Sequence, residues 1–298
     1  MVYSKETHKV SIRKACSYFE LSYSVMYYKK RTNSQDDLIR EELRLLAEQE
    51  QTWGFWMMRH RLKNMGFWWN HKRIYKIYTS MKLNLRTKRK KRLPARVKEP
   101  LLRPIYPNVT RSMDFMHDTL ESGKKVRSLN VMDDFNREIL QLSIDTSLPS
   151  AKVIVRLEEL IEWRGKPEKI RVDNGPEFIA DKLKNWCAFH GIELHFIQPG
   201  KPTQNSLIER FTRTFRTDFL DVYLFENLVQ MRNYAEIWMW KYNNERPHSA
   251  LQYLMPRDFL LKYGKISHTN PVDFPTFQQS FPTTPTEILT KNSTFECY

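Results

Sequence analysis

Cysteine is scarce in this sequence: Cys16, Cys187 and Cys297 are the whole supply in 298 residues. Odd in number, far apart and without CxxC spacing, they give neither a disulfide framework nor a zinc site, and a reducing setting fits them. No run of about 18 uninterrupted apolar residues is present to span a membrane. The opening stretch MVYSKETHKVSIRKACSYFE lacks the apolar core of a signal peptide. A sustained heptad pattern is missing as well, so no coiled coil is expected. These absences point to a cytoplasmic chain with no membrane partner, long enough for two domains with buried cores.

Acidic residues are short in one place only. Residues 1–100 hold 24 Lys and Arg against nine Asp and Glu, whereas the remainder holds 25 against 25, so the whole net charge of +15 lies in the first third. A basic segment joined to a neutral body reads as a polyanion-binding module attached to a unit with another task, because Lys and Arg that neutralise phosphates drive nucleic-acid affinity. Within that third, Ile12, Ala15, Cys16 and Phe19 have helical spacing. A break at Glu20–Ser22 and a second amphipathic run follow, with Ser22 or Ser24 as a candidate cap. This is helix-turn-helix spacing, with Glu20 where such turns often carry glycine. Helices are also expected over Asp37–Glu50 and Phe55–Met65, with Gly66 as a stop and Asn70 as the cap of HKRIYKIYTSM. Aromatic and basic residues interleave in GFWMMRHRLKNMGFWWNHKR, a composition suited to core packing or to stacking near nucleic acid. The run KLNLRTKRKKRLPARVKEP cannot bury itself and reads as an extended linker whose Lys88, Arg89, Lys90, Lys91 and Arg92 would follow a phosphate backbone.

After Pro107 the periodicity changes. TRSMDFMH, KKVRSLNVMD and REILQLSID read as an antiparallel meander, followed by a helix over 149–164 and the strand EKIRVD. A helix over 179–190, the strand IELHFI and a further helix complete the order. Three strands and then alternating helices and strands make a mixed α/β sheet flanked by helices. The expected divisions are a helical DNA-binding region over 1–81, a linker over 82–106, the mixed-sheet core over 107–262 and a Thr/Ser/Pro-rich tail over 263–298.

Three acids stand out in that core. Asp114 lies in the first strand, Asp173 ends the fourth before Asn174 and Gly175, which supply a turn that tolerates positive φ, and Glu209 opens the helix of GKPTQNSLIERFTRTFR among Lys201, Arg210, Arg213 and Arg216. If the first and fourth strands are neighbours, the three carboxylates meet. They would then repel one another unless a cation is held, and oxygen-only donors suit Mg²⁺ or Mn²⁺. Two such ions would serve phosphodiester chemistry, with the surrounding cations holding the polyanion. Other acids are expected elsewhere: Asp133 and Asp134 in a turn, Asp118 behind the site and Glu177 beside it.

SMDFMHD, LNVMDDFNREIL, LIEWRGKPEKIRVDNGPEF, IELHFIQPGKPTQNSLIERF and YNNERPHSAL together resemble the retroviral-integrase-type catalytic core of bacterial insertion-sequence transposases. The form resembled is the second-frame (OrfB) product of elements with two overlapping frames. The resemblance runs from about Ser11 to Phe259. It implies a ribonuclease H-like fold, a DDE triad on Asp114, Asp173 and Glu209, and two Mg²⁺ ions. The implied reaction is nicking at an element end and attack of the freed 3′ hydroxyl on another phosphodiester. Lys201, Gln204 and Asn205 match the loop beside the active site that contacts the DNA end, and Arg246 and His248 match the RPH element. Thr212 stands where Asn commonly follows ERF, and FWMMRHRL departs from the usual aromatic followed by arginines. The implied partners are terminal-repeat and target DNA, a first-frame (OrfA) product or fusion, and further copies of the chain on DNA, at the bacterial nucleoid. Two other functions compete: a non-catalytic DNA-binding subunit or regulator, and a nuclease that cuts without joining.

Overall fold

A computed structural model describes residues 11–28, 34–86, 104–179, 181–198 and 202–264. The chain divides into two compact units, one ending at Lys90 and the other beginning at Lys91. Lys88–Arg92, Lys201, Cys297 and all but the first two residues of the expected tail lie outside the described residues.

The first unit is helical. Helix α1 (Ile12–Tyr18) starts where the Ser11 side chain accepts the Lys14 N–H, and it buries Ala15 and Cys16. Glu20 then turns the chain at φ +52°, a region a side chain enters at some cost. Helix α2 (Tyr23–Met26) follows, with the expected caps Ser22 and Ser24 bonding each other through their hydroxyls at 2.8 Å. Helices α3 (Ser34–Gln49), α4 (Phe55–Asn64) and α5 (His71–Ser80) share one core. Ile39, Leu43 and Leu46 recur at helical spacing on α3 and meet Met58, Leu62, Ile74, Ile77 and Tyr78. Gly66, at φ +97°, takes the left-handed position beyond α4. The Asn70 side chain caps α5 by accepting the Lys72 N–H at 2.9 Å, as its position before the apolar run predicts.

The second unit is built on five strands: β1 (Thr110–Thr119), β2 (Lys125–Asp133), β3 (Ile139–Asp145), β4 (Lys169–Val172) and β5 (Glu193–Phe196). Their order across the sheet is β3-β2-β1-β4-β5, so the meander is antiparallel and β4 and β5 add in parallel beside β1. Parallel neighbours require crossovers. Helix α6 (Ser150–Arg164) joins β3 to β4, and α7 (Pro176–Ile179) and α8 (Asp181–Phe189) join β4 to β5. The single helix expected over 179–190 is therefore two, the first opening at Pro176, whose missing N–H suits a helix start. Helix α9 (Ser206–Phe215) continues into a π-helical turn over Arg216–Leu220, and α10 (Leu228–Asn244) and α11 (Pro256–Tyr263) end the described chain.

Strand alternation sorts the two cores. Met113, Leu129, Val131, Ile170 and Val172 pack beneath α6 and α8, while Val126, Met132, Leu142 and Ile144 pack against Ile208, Phe211 and Phe215 of α9 and against α10. A register shift between β2 and β3 lets Ile139 join the second core although Leu140 faces the first. Asp114 follows Met113, so alternation turns it to the α9 face.

Candidate active site

Asp114 sits in β1, Asp173 directly follows β4, and Glu209 is the fourth residue of α9. Ser112 of β1 pairs in register with Arg171 of β4. Two residues further along each strand, Asp114 and Asp173 project from the same face. Helix α9 packs on β1 and brings Glu209 to it. Asp114 and Asp173 are half-buried, and Glu209 is exposed. Burial first and the Asp173 charge second push the Asp114 carboxyl up to about 7, with Glu209 adding to them and a backbone hydrogen bond from Phe115 opposing. The three acids are electrostatic neighbours. Among the described residues no three His, Cys, Asp or Glu side chains form a closed metal cage, so the acids stand near one another without converging.

Partners separate these acids from the others. Asp133 accepts the N–H groups of Asn108 and Phe135, each at 2.9 Å, and burial raises it to about 6. Asp118 pairs with Arg216 at 3.3 Å, and Glu177 with Arg127 at 2.6 Å. Asp145 lies between Lys152 and Arg232. Asp134, expected in a turn, is instead a bridge: it accepts Ser112 Oγ and Arg171 Nη1, both at 2.6 Å, and so ties β1 to β4. Asp114, Asp173 and Glu209 have no ion pair among the described residues. Their donors are all oxygen, no cation pairs with them among the described residues, and Asp173 and Glu209 are close enough to Asp114 to raise it. That donor set fits a hard divalent cation.

The turn after Asp173 works differently from the expectation. Neither Asn174 nor Gly175 takes a positive φ. Asn174 Nδ2 donates to the Ile197 carbonyl at 3.0 Å and joins the ends of β4 and β5. Gly175 donates its N–H to Asp173 Oδ1 at 3.0 Å, and a Cβ there would lie 3.0 Å from that same oxygen and 3.5 Å from Glu177 Oε2. The glycine supplies space, not a left-handed turn. Gly175→Ala is therefore expected to displace the Asp173 carboxylate and lower metal-dependent activity roughly tenfold or more, since small misplacements at a reacting centre are costly. Thermal unfolding of the same variant should stay near wild type. An alanine variant of full activity would show that Asp173 has room to move without consequence.

The expected DNA contacts divide. Arg210 and Arg213 are exposed and have no ion pair among the described residues. Arg216 instead donates to the His117 carbonyl and pairs with Asp118, fastening the end of α9 to β1. Gln204 braces its loop, its Oε1 accepting the Gln198 N–H at 2.9 Å. Asn205 is buried at 3% exposure, which leaves it no phosphate-facing surface; it precedes α9, whose packing under Ile208 draws it inward. Arg246 pairs with Asp218 of the π-helical turn, and His248 is half-buried edge-to-face on Tyr242, with desolvation and the charges of Arg246 and Arg137 lowering it to about 3. That motif holds the fold. In the helical unit Trp68 is 77% exposed with Lys63 Nζ 4.8 Å from its ring centre, and Trp56 is half-exposed beside Arg59. No described helix is long and apolar enough to cross a membrane.

Residues 106–202 and 190–256 each match a family described as Integrase core domain, and residues 34–91 match an HTH-like domain. The match falls on α3–α5, not on the α1–α2 pair that the helix-turn-helix spacing picks out. An uncharacterized protein of insertion element IS407 from Burkholderia multivorans is 35% identical over 259 residues, 87% of this chain and 94% of that one. One of insertion element IS476 from Xanthomonas euvesicatoria is 34% identical over 265 residues, 89% and 77% of the two chains. Transposase InsD for insertion element IS2A/D/F/H/I/K from Escherichia coli is 26% identical over 148 residues, 47% of this chain and 49% of that one. Among solved structures, a chain of the simian T-cell lymphotropic virus intasome in complex with the PP2A regulatory subunit B56 gamma has a TM-score of 0.49 at 18% identity, covering 68% of this chain and 70% of its own.

Proposed function

The chain belongs to the insertion-element transposases with an integrase core, and from that premise we propose that Asp114, Asp173 and Glu209 form the catalytic acid set of a DNA strand transferase. The observation that carries this is the contrast in partners. Every other acid of the sheet described above is paired with a cation or, like Asp133, buried on two backbone N–H groups, whereas these three, drawn from β1, the end of β4 and α9, have no ion pair among the described residues, and the Asp173 and Glu209 charges both raise Asp114. Their carboxylates would hold two divalent ions, Mg²⁺ or Mn²⁺. Such ions, when bound, supply Lewis-acid stabilisation of an attacking and a leaving oxygen at a phosphodiester.

The protein's own residues do the rest. Arg210 and Arg213, on the exposed face of the helix that carries Glu209, bind the phosphates flanking the scissile bond, and Lys201 and Lys88–Arg92 supply further positive charge for DNA. Gln204 shapes the loop before α9. The basic helical unit, with its exposed Trp56 and Trp68, binds DNA at the element's terminal repeats. Catalysis proceeds in two steps on this surface: water hydrolyses a phosphodiester at the element end, leaving a 3′ hydroxyl and a 5′ phosphate, and that 3′ hydroxyl then attacks a target phosphodiester and displaces a 3′ hydroxyl of the target strand. Further copies of the chain and a first-frame product complete the complex at the nucleoid.

A joining assay tests this. Labelled DNA ending in the parent element's terminal repeat, incubated with the protein, target DNA and Mg²⁺, is expected to give nicked and joined products. Asp173→Asn and Glu209→Gln should give neither. A wild type that binds the repeat yet never nicks or joins, with the first-frame product present, would move the chain to the class of DNA-binding regulators. Nicking without joining would leave a nuclease.

A further inference from the structure

Asn130 stands in β2 directly opposite Asp114 of β1. Residues opposite one another in an antiparallel pair share a face, with Cβ atoms about 4.5–5.5 Å apart. Asn130 is fully buried, and neither its Oδ1 nor its Nδ2 has a hydrogen-bond partner. Two residues earlier on the same face, Ser128 is also buried with its hydroxyl unpartnered.

Of the other buried amides in this unit, Asn205 leaves its Oδ1 unpartnered, whereas Asn243 and Asn136 are fully engaged. Asn243 bonds both the N–H and the C=O of Ile139, and Asn136 bonds Glu138 and the Pro256 carbonyl. Those are structural. A carboxamide buried on the sheet face of Val126 and Met132 without a single partner stabilises nothing in this state and costs the desolvation of two polar atoms. The polar residue directly opposite it is Asp114, and the residue opposite it on β3 is Leu142.

We infer that Asn130 is a positioning residue: its carboxamide donates a hydrogen bond that fixes the orientation of the Asp114 carboxylate when the three acids close on their divalent ions. The inference rests on the proposed function and adds a residue to it. Holding a ligand's orientation from behind is the task of groups that surround a metal site, and their loss typically lowers metal affinity or activity about 10–100-fold.

Asn130→Thr and Asn130→Val make a matched pair, both β-branched and suited to a strand, differing only in a hydroxyl donor. Mn²⁺ binding to the DNA-free protein is read by electron paramagnetic resonance, alongside thermal unfolding and the joining assay. The valine variant should unfold at or above the wild-type temperature, bind Mn²⁺ about 10–100-fold more weakly and lose kcat with an unchanged KM for DNA. The threonine variant should keep most of both. Equal Mn²⁺ affinity and equal joining by the two would overturn the inference and leave Asn130 a packing feature. A wild type that neither binds Mn²⁺ nor joins would remove the proposed function itself, and the positioning role with it.

Discussion

Asp114→Asn is expected to abolish nicking and joining, by at least about a thousandfold, and at the same time to make the metal-free protein more stable above neutral pH. The loss follows from removing one carboxylate of an acid set worth several kcal/mol of transition-state stabilisation, where each 1.4 kcal/mol is about tenfold in rate. The gain follows from the same carboxylate's surroundings. Burial and the neighbouring Asp173 and Glu209 charges hold Asp114 at about 7 in the folded chain, against an ordinary value of 3.8. An acid whose folded pKa is raised binds its proton more tightly in the folded state than in the unfolded one. Stability therefore falls as pH rises from about 4 to about 7 and stays low above that window. The asparagine has no such penalty. At pH 8 without divalent ions the variant should be more stable than wild type by a few kcal/mol, a gap that closes towards pH 4. Adding Mg²⁺ should stabilise the wild type at pH 8 more than at pH 5, where protons compete, and should stabilise the variant little. Asp133 is also raised, to about 6, so only the difference between variant and wild type isolates Asp114. Loss of activity together with loss of stability would mean that Asp114 is a structural acid.

Much of that site is legible in the sequence, because Asp114, Asp173 and Glu209 announce themselves through local signals: an acid in an alternating strand, an acid at a strand end, an acid in a helix's first turns. Local patterns report which face a residue occupies. They do not report which distant side chain meets it. Asp134 reads as a turn acid because its partner Arg171 lies 37 positions away, and Asn130 reads as one polar residue in LNVMD because its neighbour is set by strand register. Asn174–Gly175 carries the signature of a left-handed turn, yet here the glycine is required by the Asp173 oxygen lying 3.0 Å from where its Cβ would be. Arg216 shows the same limit from the other side: its charge suggests phosphate, and the fold commits it to Asp118 and the His117 carbonyl.

The bridge beneath the acids carries the second large effect. Asp134 is fully buried, and burial pushes its carboxyl up while Ser112 and Arg171 oppose that shift. Ser112 precedes Asp114 by two residues and Arg171 precedes Asp173 by two, so this network fixes β1 against β4 just before Asp114 and Asp173. Arg171→Met keeps the bulk of the side chain and removes its hydrogen-bonded cation, leaving a carboxylate in the core with the Ser112 hydroxyl and the Coulombic pull of Arg137. Breaking one side of a buried pair typically costs about 3–5 kcal/mol, which for a unit of this size lowers the unfolding temperature by roughly 10 °C or more. The deficit should depend on pH in a definite direction. With Arg171 gone the folded-state pKa of Asp134 rises further above its unfolded value, so the penalty is present at pH 7 and above and shrinks as acid protonates the group. Adding Asp134→Asn to Arg171→Met removes the stranded charge and keeps a partner for Ser112. The double variant should therefore recover most of the lost stability at pH 7, an outcome that differential scanning calorimetry can read. Recovery of joining is the stricter test. If the pair only stabilises the fold, the double variant regains activity along with stability; if it also sets the separation of Asp114 and Asp173, stability returns and joining does not.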